Sequence, residues 1–343
     1  MNSKIINTII ADFDSYIEKN DKFTFYAAEQ QKFRTSLANI LTYSNEHLYK
    51  KGKKEGKDSF IRRVCSEEVM GTRVGQIYGH VNSFFYKGTQ SIEENFSTFK
   101  QFLTSLNTLI NKRPSVDDIV SLVVDVFSTD KLYALRTVLI QILSINLPDH
   151  FLPIYQLKEI STFITDLSID LTSLKEEEKE VVNSRRKNNF GRKLILLNRI
   201  LMDWKTAHEK SKKWDNIMLA HFLFKCFPLD DLLLLRNAKI GMDWLETNEQ
   251  FTVAIFSKIH QKMEYETITN IRTFFPDCEV IDSEGNIKLI EFEFNSKSYL
   301  HHKDSKQKCD AVVCWEIDDP LKEIIKKNPN FKIKSLKEIL KEY

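Results

Sequence analysis

Three acidic residues toward the C-terminal end carry the clearest chemistry in this chain: Asp277 and, fourteen residues later, Glu291 with Glu293. Glu291 and Glu293 flank Phe292 in an alternating run, Ile287 to Phe294, that reads as a strand. Side chains two apart on a strand share a face, so both glutamates project together while Phe292 and Phe294 turn the other way, into a core. Ser283-Glu284-Gly285-Asn286 is a turn sequence, and Cys278 to Asp282 before it reads as the partner strand. Pairing across that hairpin brings Asp277 close to the two glutamates. Clustered carboxylates repel one another unless a cation joins them, and oxygen ligands suit Mg2+ or Mn2+. A divalent ion so held can polarise a phosphate and lower the pKa of an attacking water, and a neighbouring carboxylate can take that water's proton. The set therefore suits phosphodiester hydrolysis. The plainer alternative is a hairpin with two solvent-exposed glutamates.

Three segments taken together, Phe275-Pro276-Asp277-Cys278-Glu279, Ile290-Glu291-Phe292-Glu293-Phe294 and Cys309-Asp310-Ala311-Val312-Val313-Cys314-Trp315-Glu316, resemble the PD-(D/E)xK nucleases of the restriction-endonuclease-like superfamily. The resemblance covers roughly residues 246–343. It implies Asp277 and Glu291 as ligands of Mg2+ or Mn2+. The family has a lysine two residues after the second acid; this chain has Glu293 there, and some restriction enzymes of the fold are similar in carrying Glu. By the same resemblance Glu293 is catalytic, and Glu249, on the preceding helix, is a further metal ligand. Lys288 and Lys297 are nearby basic residues, neither at the family position. The implied activity is endonucleolytic cleavage of DNA leaving a 5′-phosphate, in restriction or phage defence, by a homodimer or with a partner subunit. Two other readings stand beside it. One is a non-catalytic nucleic-acid-binding or scaffold protein that keeps a decayed nuclease fold; the other is an RNA-cleaving nuclease.

Other residues are candidates for touching substrate or shaping the site. His301 and His302 follow the second strand and can contact phosphate, or simply be solvated. Asp310 opens the next apolar strand and is placed to support the metal ligands. Cys278, Cys309 and Cys314 have no Cys-x-x-Cys spacing and read as core thiols rather than zinc ligands. Two basic stretches can grip phosphates: Lys50 to Lys57, and 184–193 with Arg185, Arg186, Lys187 and Arg192 around Phe190. No phosphate-binding Gly-x-x-x-x-Gly-Lys loop, Gly-x-Ser-x-Gly elbow or His-Glu-x-x-His pair occurs.

The elements that must hold these groups follow from periodicity. An α+β chain is expected: an all-α region over residues 1–245 that recognises DNA or a partner, with a possible internal linker near 175–193, then an α/β domain with a mixed central sheet over 246–343. Apolar residues recur every three or four positions at Phe96, Phe99, Phe102, Leu103 and Leu106, at Ile119, Leu122, Val123 and Phe127, and at Leu135, Val138, Leu139, Ile142 and Leu143. Ser115, followed by Asp117 and Asp118, is a helix-capping candidate. In the C-terminal part the order is a helix from Asn248 to Met263, a strand within Glu266 to Thr273, the hairpin, a strand Ala311 to Trp315 buried on both faces, a helix from Pro320 to Lys327, a short strand near Phe331 to Ile333, and a last helix. With 50 basic and 48 acidic residues among 343 the net charge is +2, so any nucleic-acid site is a local patch and not a global field. No apolar run is long enough to span a bilayer, no secretory leader is evident, and five cysteines fit reduced thiols, which together predict a cytoplasmic protein.

Overall fold

The computed structural model describes residues 3–19, 92–112, 114–128, 136–154, 156–184, 186, 189–246, 248–301, 308–318 and 332–342. The chain divides into two compact units, Met1–Phe222 and Leu223–Tyr343. Among the described residues no helix is long and apolar enough to cross a membrane.

The first unit is helical. Its described helices are α1 (Ser3–Glu18), α2 (Ile92–Asn111), α3 (Val116–Ser128), α4 (Arg136–Asn146), α5 (Leu157–Asp166), α6 (Glu176–Asn183) and α7 (Phe190–Ala207), with α8 (Asn216–Cys226) crossing the division between the units. Of the predicted stripes, Phe99, Phe102, Leu103 and Leu106 on α2, Ile119, Val123 and Phe127 on α3, and Val138, Leu139, Ile142 and Leu143 on α4 are buried; Leu122 is half-buried, and the Phe96 side chain lies outside the described residues. Ser115 caps α3: its hydroxyl accepts from the Asp118 N–H at 3.2 Å, and its own N–H donates to the Asp118 carboxylate at 2.9 Å.

Helix α7 lies against α3, α5 and α6, and buries Leu194, Leu197 and Leu201. Two buried asparagines satisfy backbone groups where the chain turns between helices. Asn198 accepts from the Leu152 N–H at 2.7 Å, and the Asn216 side chain donates to the Ser144 and Phe151 carbonyls, each at 2.8 Å. Within the stretch expected as a possible linker near 175–193, residues 176–183 form α6. Glu176, Glu177 and Glu178 form the first turn of α6, where the helix dipole favours acids, and Glu178 pairs with Arg199 of α7 at 2.6 Å. The basic loop at 50–57 and Leu135 lie outside the described residues.

The second unit reaches back to Leu223, earlier than the change in sequence texture near residue 245. The reason is α9 (Leu229–Asn237): its buried Asp231 accepts from the Trp315 indole N–H at 2.9 Å and pairs with Lys337 at 2.9 Å. Next come α10 (Glu249–Ile259), a 3-10 turn His260–Met263, and a five-stranded sheet ordered β1 (Tyr265–Ile271), β2 (Cys278–Asp282), β3 (Ile287–Asn295), β4 (Ala311–Glu316) and β5 (Lys332–Ser335), before α11 (Leu336–Lys341). The first three strands pair antiparallel and the last three parallel, so the sheet is mixed as expected. Strand β4 is buried on both faces except at Glu316. The expected helix from Pro320 to Lys327 lies outside the described residues.

Helix α10 covers one face of the sheet. Phe256 meets Phe292 with ring centroids 5.0 Å apart, and Phe251 meets Trp315 at 5.3 Å and Phe294 at 6.2 Å. Phe292 and Phe294 thus turn toward α10, and alternation sends Glu291 and Glu293 to the opposite face.

Gly191 sets how closely α7 approaches α3. A Cβ built there would lie 2.8 Å from the Val123 carbonyl oxygen and 3.2 Å from the Val124 Cα, both backbone atoms that cannot swing aside. Gly191→Ala is therefore expected to destabilise by about 1–3 kcal/mol through overpacking, despite the roughly 1 kcal/mol that alanine gains over glycine in a helix. A denaturant midpoint unchanged or raised in this variant would contradict the close approach.

Candidate functional site

The hairpin register builds the site. Cys278 pairs with Ile290, which sets Asp277 opposite Glu291 at the mouth of the β2–β3 ladder. The Asp277 carboxylate accepts from the Phe292 N–H at 2.9 Å, and the Asp277 N–H donates to the Glu291 carboxylate at 3.2 Å. The Asp277 carbonyl accepts from the Arg272 N–H at 2.6 Å, which closes the β1–β2 loop. Thr252 of α10 donates its hydroxyl to the Glu293 carbonyl at 3.2 Å and pins that strand residue from behind.

All three acids are buried: Glu291 is 3% exposed, Glu293 8% and Asp277 9%. That excludes the ordinary hairpin with solvated glutamates, because carboxylates are rarely buried to this degree unless something compensates them. Burial pushes the Glu291 carboxyl up to about 8, with the Asp277 charge and a hydrogen bond to its side chain adding to the rise. Burial also raises Glu293 to about 7, with the charges of Glu249 and Asp277 adding to it. Glu249 stands exposed in the first turn of α10, next to the cap made where Asn248 accepts from the Phe251 N–H at 2.9 Å. The structure thus brings Asp277, Glu291 and Glu293 together, with Glu249 within electrostatic reach of Glu293.

The donor set is chemically suited to a hard divalent cation, since it consists of carboxylate oxygens. It is not drawn closed, however: among the described residues no three His, Cys, Asp or Glu side chains are grouped so as to hold a metal ion.

The remaining predicted residues distribute as follows. Asp310 donates its N–H to the Leu289 carbonyl and accepts from the Leu289 N–H through its carboxylate, both at 2.7 Å, so it splices the start of β4 onto β3. Lys288 turns away from the carboxylates and pairs with Asp282 at 3.6 Å near the hairpin turn. Lys297 is exposed on the 3-10 segment Ser296–His301, with its N–H held by the Asp318 carboxylate at 3.0 Å. His301 ends that segment, while its side chain and all of His302 lie outside the described residues. In the first unit Arg192 is exposed and lines an open groove of about 510 Å³ with Glu177, Glu180 and Arg199, and Arg186 is exposed before α7. Arg185 and Lys187 lie outside the described residues. Cys278 and Cys314 are buried core thiols.

Sequence reasoning missed Tyr299. It lies on the 3-10 segment that packs back on β3 and β4, and the Cys309 thiol donates toward its hydroxyl at 3.7 Å. Burial raises both the tyrosine and the cysteine pKa, with the Glu291 charge adding to each rise. No spacing rule marks a tyrosine on the segment leaving a strand, so nothing in the sequence singles it out.

No family model matches the chain, and no curated relative or solved structure does either.

The raised carboxyls give a signed pH dependence. In the folded state Glu291 and Glu293 hold protons up to about 8 and about 7, whereas the unfolded chain releases them near 4.5. Between those limits the folded state binds more protons, so metal-free stability falls as pH rises through the window. Denaturant unfolding in EDTA at pH 5.5 and 8.5 is expected to show the fall, and Glu291→Gln to reduce it by at least about 1 kcal/mol. A slope identical in the two proteins would show that Glu291 is not buried as described.

Proposed function

We propose that this chain is a metal-dependent nuclease that hydrolyses phosphodiester bonds of DNA. The observation that carries this reading is the burial of Asp277, Glu291 and Glu293 on one face of a mixed sheet, with Asp277 set against Glu291 across the hairpin. A scaffold gains nothing from burying three acids together, because each resists losing its water. The likeness of these segments to PD-(D/E)xK nucleases gives the same assignment from the sequence side. Asp277 and Glu291 would hold Mg2+ or Mn2+, with Glu249 closing the set from α10. The ion would supply polarisation of the scissile phosphate and a more acidic attacking water.

The chain's own groups do the rest. The Phe292 N–H orients the Asp277 carboxylate, and the Thr252 hydroxyl fixes the strand under Glu293. Glu293, raised to about 7, is poised near neutral pH to accept a proton from water and pass it on. This gives Glu293 a role in the position where the family carries lysine. Restriction or defence against foreign DNA, and action as a dimer or with a partner subunit, belong to this proposal on the resemblance alone.

One observation favours a second reading. The absence of a closed ligand group among the described residues fits a nuclease fold that binds nucleic acid without cutting it. Cleavage separates the two. Methylated and unmethylated plasmid and phage DNA, with RNA in parallel, are incubated with Mg2+, Mn2+ or EDTA. Metal-dependent cutting that drops by about a hundredfold or more in Glu291→Ala and in Glu293→Ala is the expected result. Cutting that survives Glu291→Ala places the chemistry elsewhere. Metal-dependent cutting confined to RNA changes the substrate, and no cutting of either polymer leaves the binding-only reading.

A further inference from the structure

The loop that joins β1 to β2 ends on Asp277 and carries features that the carboxylate chemistry does not use. Its base is closed by the Arg272 N–H donating to the Asp277 carbonyl at 2.6 Å. Its outer side holds Phe274, which is 63% exposed, and the strand end leading into it holds Ile271 at 49%. Scattered exposed apolar side chains are ordinary on a protein surface. Here an aromatic and an aliphatic side chain stand three residues apart, beside a cation, on the loop whose last residue belongs to the acidic cluster. The Arg272 guanidinium lies 5.8 Å from the Phe274 ring centroid and is itself held by Glu279 at 2.8 Å.

We propose that this loop is a nucleobase platform: the Phe274 ring, flanked by the Arg272 guanidinium, stacks on a base of an unpaired or locally opened strand, and the neighbouring phosphodiester is thereby presented to the carboxylates. The inference rests on the nuclease reading and adds the substrate class, an unstacked strand. The reach is adequate. Three residues of chain span at most about 11 Å, so Phe274 stands within a few nucleotides of Asp277. An exposed aromatic face beside a cation is the element by which proteins hold single strands without reading their sequence, because every base has a π-face. A duplex keeps its bases stacked on one another and offers that ring nothing comparable.

The test measures binding apart from cutting. Fluorescence anisotropy in EDTA compares a labelled single-stranded oligonucleotide of mixed sequence with the same sequence as a blunt duplex, on the full chain and on Phe274→Ala, Phe274→Tyr and Arg272→Ala. Phe274 is exposed, so its replacement leaves the fold intact, which a thermal melt verifies. The expected result is tighter binding of the single strand than of the duplex. Phe274→Ala should weaken it by about 5- to 150-fold, the range of one base–aromatic stack, and Phe274→Tyr should restore it. Arg272→Ala, which removes a guanidinium already paired with Glu279, should change the salt dependence little. Equal binding by wild type and Phe274→Ala overturns the platform while leaving the carboxylate chemistry untouched, because cleavage and the Glu291→Ala control are scored separately. So does a Phe274→Ala effect on self-association in sedimentation with none on oligonucleotide binding, which would make the patch a protein contact. Metal-dependent cleavage absent from wild type, with oligonucleotide binding intact, would instead strike the nuclease reading and leave a binding surface.

Discussion

The second unit is organised around an unfavourable interaction. Asp277, Glu291 and Glu293 are withdrawn from water side by side on one face of a sheet, and burial, with the Asp277 charge adding to it, raises the pKa of both glutamates. Such groups turn outward unless the backbone holds them, and here Glu291 and Glu293 keep their protons up to about 8 and about 7. They are kept in place by features unrelated to charge. The β2–β3 register sets Asp277 opposite Glu291, and strand alternation assigns Phe292 to the α10 side and both glutamates to the other. Two hydrogen bonds at the site tie an acidic residue to a group that packing fixes: Phe292 N–H to the Asp277 carboxylate, and Thr252 hydroxyl to the Glu293 carbonyl. The aromatic contacts of Phe251 and Phe256 with the sheet thus hold the acids where they are, although no aromatic carbon need touch a substrate.

A divalent cation would offset this arrangement most directly. Carboxylate ligands bind metal in their charged form, so an ion entering the cluster would release the protons that burial retains. Local cost concentrated at a few residues and supported by well-packed surroundings is the usual arrangement of functional sites. The helical unit contrasts with it. Its buried polar groups, Asn198 and Asn216, answer backbone groups and stabilise turns, and Glu178 of α6 pairs with Arg199 of α7.

Much of the second unit was legible because its signals are local. Alternation in Ile287 to Phe294, the glycine turn at Gly285 and the apolar run Ala311 to Trp315 each map onto one strand, and the spacing from Asp277 to Glu291 is set by the hairpin itself. What the sequence did not disclose depends on long-range packing. Nothing local says that α9 belongs with the sheet, because the tie runs from Asp231 to Trp315 and Lys337. Burial of the glutamates was equally hidden, since alternation assigns a face but not what covers it. The Asp310 carboxylate accepts from the Leu289 N–H and completes the ladder there, a bond that only the β3–β4 register reveals. Lys288 sits on the wrong face of β3 for the carboxylates, which parity alone would have indicated.

The measurement that bears most directly on the carboxylate cluster is calorimetric titration of Mn2+ into the metal-free chain at pH 8, beside Glu291→Gln, with no nucleic acid present. If the buried acids form a cation site, the wild type binds saturably and releases protons as it does so, in an amount that varies with buffer ionisation heat, and Glu291→Gln loses about tenfold or more in affinity. Equal binding by the two proteins, or no binding by either, would contradict a cation site at Asp277, Glu291 and Glu293.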